Sequence, residues 1–112
     1  MYLSIRRGDT KFLKFQRKNK DKEVILEQAE KLYFTVKKSF RTKEALFQKT
    51  IEDMSFDEDG TYHFVIEPED TDGLEYGMCK YDVQVEHDGV KSTIAIGDFE
   101  IKEEVTFAEN EV

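Results

Sequence analysis

The chain has 112 residues, 38% apolar and 38% charged, with nine Phe, five Tyr and a formal net charge of −8. That length suits one domain of roughly 100–150 residues, and the aromatic content excludes a disordered chain. The acidic balance excludes a nucleic-acid binder, which neutralises phosphates with Lys and Arg.

The single cysteine, Cys79, excludes an intrachain disulfide, and no stretch approaches the roughly 20 apolar residues of a membrane span. The N-terminal Met1 to Arg7 lacks the apolar segment of a signal peptide. The expectation is one domain over 1–112, made in a reducing cytoplasm and leaving it only within a larger particle.

In chain order the pattern is short alternating runs between turn residues, which is how an all-β domain reads. Gly8-Asp9 opens a first strand over 10–17, and Asn19 to Lys22 is a polar turn. Val24-Ile25-Leu26 is a short apolar run read as a brief strand, although 20–32 also carries helix-favouring Glu27 to Glu30. Lys31 to Lys38 alternates, with Leu32, Phe34 and Val36 on one side, and Arg41 to Glu44 is a charged loop. Residues 45–53 and 61–66 are expected to pair as a hairpin around Asp57-Glu58-Asp59-Gly60, since Asp-Gly between alternating runs is a strong hairpin signal. Tyr62, Phe64 and Ile66 share its inner face, with His63 opposite.

Pro68 ends that strand, and the segment to Leu74 reads as a compact acidic turn or single helical turn. Residues 78–87 place Cys79, Tyr81, Val83 and Val85 on one face, and Asp88-Gly89 turns into a last strand from Val90. There Ile94 and Ile96 are even while Phe99 and Ile101 are odd. If both pairs face the core, a bulge near Gly97 must change the parity. The predicted architecture is an immunoglobulin-like antiparallel two-sheet sandwich of seven or eight strands.

Residues 1–49 carry a charge of +8 and residues 50–112 one of −16. This split either drives head-to-tail packing between copies or is averaged out by strands that interleave. Nothing in the pattern points to catalysis, a cofactor or a metal. Cys79 lies on an apolar face, where a thiol is inert. His63 and His87 have no partners at zinc-ligand spacing. The acidic stretches Asp57 to Gly60 and Glu67 to Asp72 lack the spaced oxygen ligands of a complete calcium loop. One structural device is expected: Leu74 ending a corner and Tyr81 opening the next strand form a tyrosine corner, its hydroxyl bonded back near Asp70 to Leu74.

A set of segments carries a resemblance. They are Arg7-Gly8-Asp9-Thr10, Phe34-Thr35-Val36-Lys37, Gln48-Lys49-Thr50-Ile51 and Glu67-Pro68-Glu69-Asp70-Thr71. Tyr81-Asp82-Val83-Gln84-Val85, Thr93-Ile94 and Gly97-Asp98-Phe99-Glu100-Ile101 continue it. The chain resembles a family of small proteins encoded by tailed bacteriophages and prophages of Gram-positive bacteria. More distantly, it is similar to the N-terminal domain of phage baseplate upper proteins. It departs from the expected pattern at Cys79, where a tyrosine would stand two residues before the corner tyrosine.

The resemblance implies a non-enzymatic structural module of the virion, in tail, baseplate or head, contacting other virion proteins or itself. Tyr2, Leu3 and Ile5 in residues 1–6, and Val105 and Phe107 in residues 104–112, are candidate docking arms; alternatively both segments complete the sandwich. A second functional reading is adhesion to a host surface molecule through the loops 17–23, 39–45 and 68–77.

Overall fold

The computed structural model describes residues 1–104, so Val105 and Phe107 lie outside the described residues. Eight strands run in the order β1 (Tyr2–Arg6), β2 (Lys11–Gln16), β3 (Lys31–Lys37), β4 (Phe47–Thr50), β5 (Ser55–Phe56), β6 (Thr61–Ile66), β7 (Gly77–His87) and β8 (Val90–Lys102). A 3-10 turn, Ile51–Asp53, precedes β5, and a single helical turn α1, Pro68–Thr71, precedes β7. The chain is all-β, in two sheets ordered β1-β8-β7-β3-β4 and β2-β6-β5.

Period-two burial builds the core. Leu32, Phe34 and Val36 of β3, Tyr62, Phe64 and Ile66 of β6, and Cys79, Tyr81, Val83 and Val85 of β7 are all buried. Cross-strand register aligns these rows, pairing Phe34 with Val83, Val36 with Tyr81 and Cys79 with Phe99. Phe34 is the hub, its ring centroid 4.9 Å from Phe64 across the gap between sheets and 5.6 Å from Tyr81 on the next strand. Such ring pairs add about 0.5–1.5 kcal/mol each beyond area burial.

Several expectations are corrected. β6 does not pair with residues 45–53. The Asp57–Gly60 turn is present, with Gly60 N–H donating to the Asp57 carbonyl at 3.0 Å, but its other arm is only Ser55–Phe56. β4 joins β3 in the opposite sheet, because the 3-10 turn carries the chain across. The segment 24–26 makes only an isolated bridge, Lys18 to Val24, and 20–32 holds no helix.

The sandwich is also not wholly antiparallel: β1 runs parallel to β8, Tyr2 opposite Asp98 through Arg6 opposite Lys102. The parity change in β8 is real but sits elsewhere. Val83 pairs with Ala95 and Gln84 with Thr93, which leaves Ile94 as the extra residue. Ile94 and Ile96 are exposed, and only Phe99 and Ile101 enter the core. Gly97 is a glycine for a different reason: a Cβ there would stand 2.2 Å from the Met1 carbonyl oxygen and 3.0 Å from Tyr81 Cε1.

Strands of the two halves share the larger sheet, with β8 and β7 lying between β1 and β3, so the charge split is averaged. Lys31 meets Glu86 at 3.5 Å, Arg7 meets Glu104 at 2.9 Å, and Lys49 meets Asp70 at 2.6 Å.

Candidate functional site

A sandwich this small ends in four edge strands, and an edge presents unpaired N–H and C=O groups to any strand that can reach it. Three of the edges carry ordinary protection. β5 has two residues, β4 has four with a lysine, and β2 carries Lys11 and Lys14. β1, Tyr-Leu-Ser-Ile-Arg, has five residues, no proline and one charge at its last position.

Its backbone polarity can be read from its ends. The Met1 carbonyl accepts from Asp98 N–H at 3.0 Å, and Arg7 N–H donates to the Lys102 carbonyl at 3.0 Å. Strand groups alternate sides, so the odd residues face β8, and Tyr2 and Ser4 turn their N–H and C=O outward. Leu3 and Ile5, expected at an interface, instead pack on the core, Ile5 fully buried; Tyr2 remains half exposed. The segment 2–6 is thus a strand of the sheet. Beside it the exposed apolar residues Met78 and Ile96 stand on the solvent side of the same sheet.

The turn after β1 is held firmly. Arg7 donates from Nε to Glu104 at 2.9 Å and from Nη1 to the Leu74 carbonyl at 3.2 Å, and its guanidinium lies 4.4 Å over the Tyr76 ring. Gly8 N–H donates to the Thr71 hydroxyl at 2.9 Å. Leu74 therefore receives a bond from Arg7, not from the corner tyrosine. Tyr81 Oη is buried with no partner among the described residues, so the expected tyrosine corner is absent. The tyrosine that does anchor a distant segment is Tyr62, whose hydroxyl accepts Ala29 N–H at 2.9 Å and pins the 17–30 loop. Arg17, also buried, holds that loop through the Glu27 carbonyl at 2.6 Å.

The titratable groups do not converge. Cys79 is in the core, and burial pushes its thiol above the ordinary value. His63 pairs with Asp57 at 2.6 Å on the outer face of the smaller sheet. His87 lies at the hairpin end, 3.3 Å from Glu27 and 3.7 Å from Asp88, with Glu30 nearby. Glu30, His87 and Asp88 are the one group among the described residues close enough to share an ion, and two of the three are exposed. Sequence reading missed it because Glu30 is 57 positions from His87 and nothing local announces the contact.

The acidic turns are used internally. Thr61 hydrogen bonds hold the Asp59 carboxyl below its usual range, and Asp70 accepts Glu67 N–H at 2.7 Å. At the β1 edge, the Glu100 hydrogen bond raises the Tyr2 phenol, and Glu104 raises the Arg7 guanidinium. No family model matches this chain, and no curated protein matches it.

Proposed function

We propose that the chain is a non-enzymatic assembly module of a bacteriophage virion, an immunoglobulin-like sandwich that takes a partner's strand along the free edge of β1. The observation that carries the reading is that edge: Tyr2 and Ser4 aim outward backbone groups that have no partner among the described residues, from a strand with no proline and a single terminal charge. Such an edge pairs with another chain unless it is blocked.

The immunoglobulin-like description rests on strand order. With β2, β5 and β6 lettered B, D and E, and β3, β7 and β8 lettered C, F and G, one sheet reads B-E-D and the other contains C-F-G. The phage setting rests on the resemblance of the quoted segments. Adhesion through loops has less behind it, because the exposed loop aromatics Tyr76 and Phe40 already lie against Arg7 and Lys80.

Ser4→Pro tests the edge. It removes an outward N–H while leaving the odd-numbered bonds to β8, and proline is tolerated at an edge. The variant is expected to melt within a few degrees of wild type yet to be lost from purified particles, as quantified by mass spectrometry. Normal incorporation of Ser4→Pro overturns pairing at this edge. Absence of the wild-type chain from particles overturns the virion assignment.

A further inference from the structure

The backbone of β1 specifies which strand it can take. Its even residues, Tyr2, Ser4 and Arg6, face away from β8, because Met1 and Arg7 bond to that strand. The Arg6 carbonyl already accepts Asp9 N–H at 3.0 Å. The outward groups without a partner among the described residues are therefore the N–H and C=O of Tyr2 and Ser4 and the N–H of Arg6. The run of β8 from Val90 to Ile96 also has no described strand beyond it, but Lys91 and the bulge at Ile94 guard that edge.

A copy of β1 laid antiparallel along this edge matches those groups. With a two-fold axis at Ser4, Ser4 faces Ser4, Leu3 faces Ile5 and Tyr2 faces Arg6. The two Ser4 residues exchange both bonds, and each Arg6 N–H donates to the other copy's Tyr2 carbonyl; only the Tyr2 N–H is left to water. Moving the axis to Leu3 or Ile5 leaves three residues of each strand paired instead of five. On the inner side Leu3 and Ile5 both pack on the core, so the apolar row runs on from one copy into the next. On the outer side the strand's one charge does not meet its like. Arg6 is exposed, its described side-chain partner being the Glu103 carbonyl, and it lands on Tyr2 of the other copy. That tyrosine donates to Glu100 and stands beside Asp98 on β8. Opposed like charges destabilise a strand pair, whereas a cation over a ring beside carboxylates is attracted. Arg7 over Tyr76, at 4.4 Å, is the same contact within one copy.

We propose that the strand taken along β1 is the β1 of a second copy, paired antiparallel about a two-fold axis at Ser4, so that the two larger sheets join into one. This partner rests on the reading of β1 as an open edge, and not on a virion setting. Five residues a side is far below the roughly 20–30 of a standard interface. The dimer is therefore weak and forms at high concentration, as when copies are held side by side in a larger assembly.

Sedimentation of the full-length chain over a wide concentration range is expected to show a reversible monomer–dimer equilibrium. Ser4→Pro weakens it by roughly thirtyfold, the worth of the two N–H bonds it removes from the dimer. Cysteine coupling reads the register. Hydrogen-bonded pairs stand about 5.5 Å apart at Cα, within the reach of a disulfide, so Ser4→Cys forms a covalent dimer under mild oxidation. Tyr2→Cys alone does not, because the two Tyr2 lie at opposite ends of the seam, but it couples when mixed with Arg6→Cys. Cys79 is buried, and wild type serves as its control. Wild type that stays monomeric throughout overturns the proposal, as does Ser4→Cys that fails to couple or Ser4→Pro that associates like wild type. Tyr2→Cys coupling to itself as readily as Ser4→Cys overturns the axis. If Ser4→Pro does not fold, the cysteine couplings decide. A monomeric chain whose Ser4→Pro variant is still lost from particles overturns the second copy and leaves pairing with a different virion protein. A dimer abolished by Ser4→Pro, with that variant incorporated normally, overturns the role of the edge in particles and leaves the dimer.

Discussion

Two buried tyrosines show how far a residue can be read from its own surroundings. The alternation around Tyr62 and Tyr81 is sufficient to put both rings inside, and both are inside. It says nothing about the hydroxyls. The partner of Tyr62 is the Ala29 amide, 33 positions away across a loop without regular structure, and Tyr81 has no partner among the described residues. Gly97 shows the same limit. Its place in a strand suggests a bulge, but the cause is the crowding of the Met1 carbonyl and the Tyr81 ring around its Cα. Gly97→Ala is therefore expected to displace the start of β1 and to destabilise by about 1–3 kcal/mol, the usual range for overpacking. Denaturant unfolding measures the loss, and hydrogen exchange locates it, because the Asp98 amide bonded to Met1 should lose protection. Unchanged stability with unchanged Asp98 protection would show that the contact is slack.

At the scale of elements, the core strands and the β7–β8 hairpin at Asp88-Gly89 are legible, whereas β1, β5 and the partners of β4 and β6 are not. β3, β6 and β7 announce themselves by alternation because each has one face on the core. The sequence does not separate β4 from β5, because Phe47–Thr50 and Ser55–Phe56 are too short to show a period and the 3-10 turn between them moves the chain from one sheet to the other. Parity reveals the bulge in β8 but not its place, since exposed Ile94 and Ile96 look like core residues by type. The Pro68–Thr71 turn was recognisable from proline at its start. Its stabilisation comes from Asp70, which accepts Glu67 N–H and also meets Lys49 on β4 at 2.6 Å with both side chains largely buried. Asp70→Ala removes a cap and a shielded ion pair together. A loss of about 1–2 kcal/mol is expected from the cap alone. The double variant with Lys49→Met should recover part of the total, which thermal unfolding of the three proteins would reveal; a double variant no better than Asp70→Ala would deny the pair any coupling.

For the molecule as a whole, the all-β class and the two layers followed from composition and period, and the edge at β1 emerged only once strand order was known. The global pH response also depends on the assembled core. Burial raises both Cys79 and Tyr81 above their ordinary values. Each is an acid that is neutral when protonated, so the native state keeps a proton that the unfolded chain surrenders at about pH 8.5 for cysteine and about pH 10 for tyrosine. The native state then binds more protons, and stability falls as pH rises. Stability from these groups is complete below about pH 8 and should decline in two stages above it. Urea midpoints at pH 7, 9 and 10.5 give the profile, and Cys79→Ala should flatten the first stage only. A midpoint constant across that range would contradict the burial of both groups.

The parallel seam between β1 and β8 has a temporal meaning. Tyr2 waits for Asp98, and Arg6 for Lys102, so the first strand of the described residues pairs with the last. Contacts so remote along the chain are slow to form because a long loop must close first. Until β8 has been made, the apolar side of β1 has no strand of that kind to lie against, and the nascent chain must remain soluble over the whole interval that separates them.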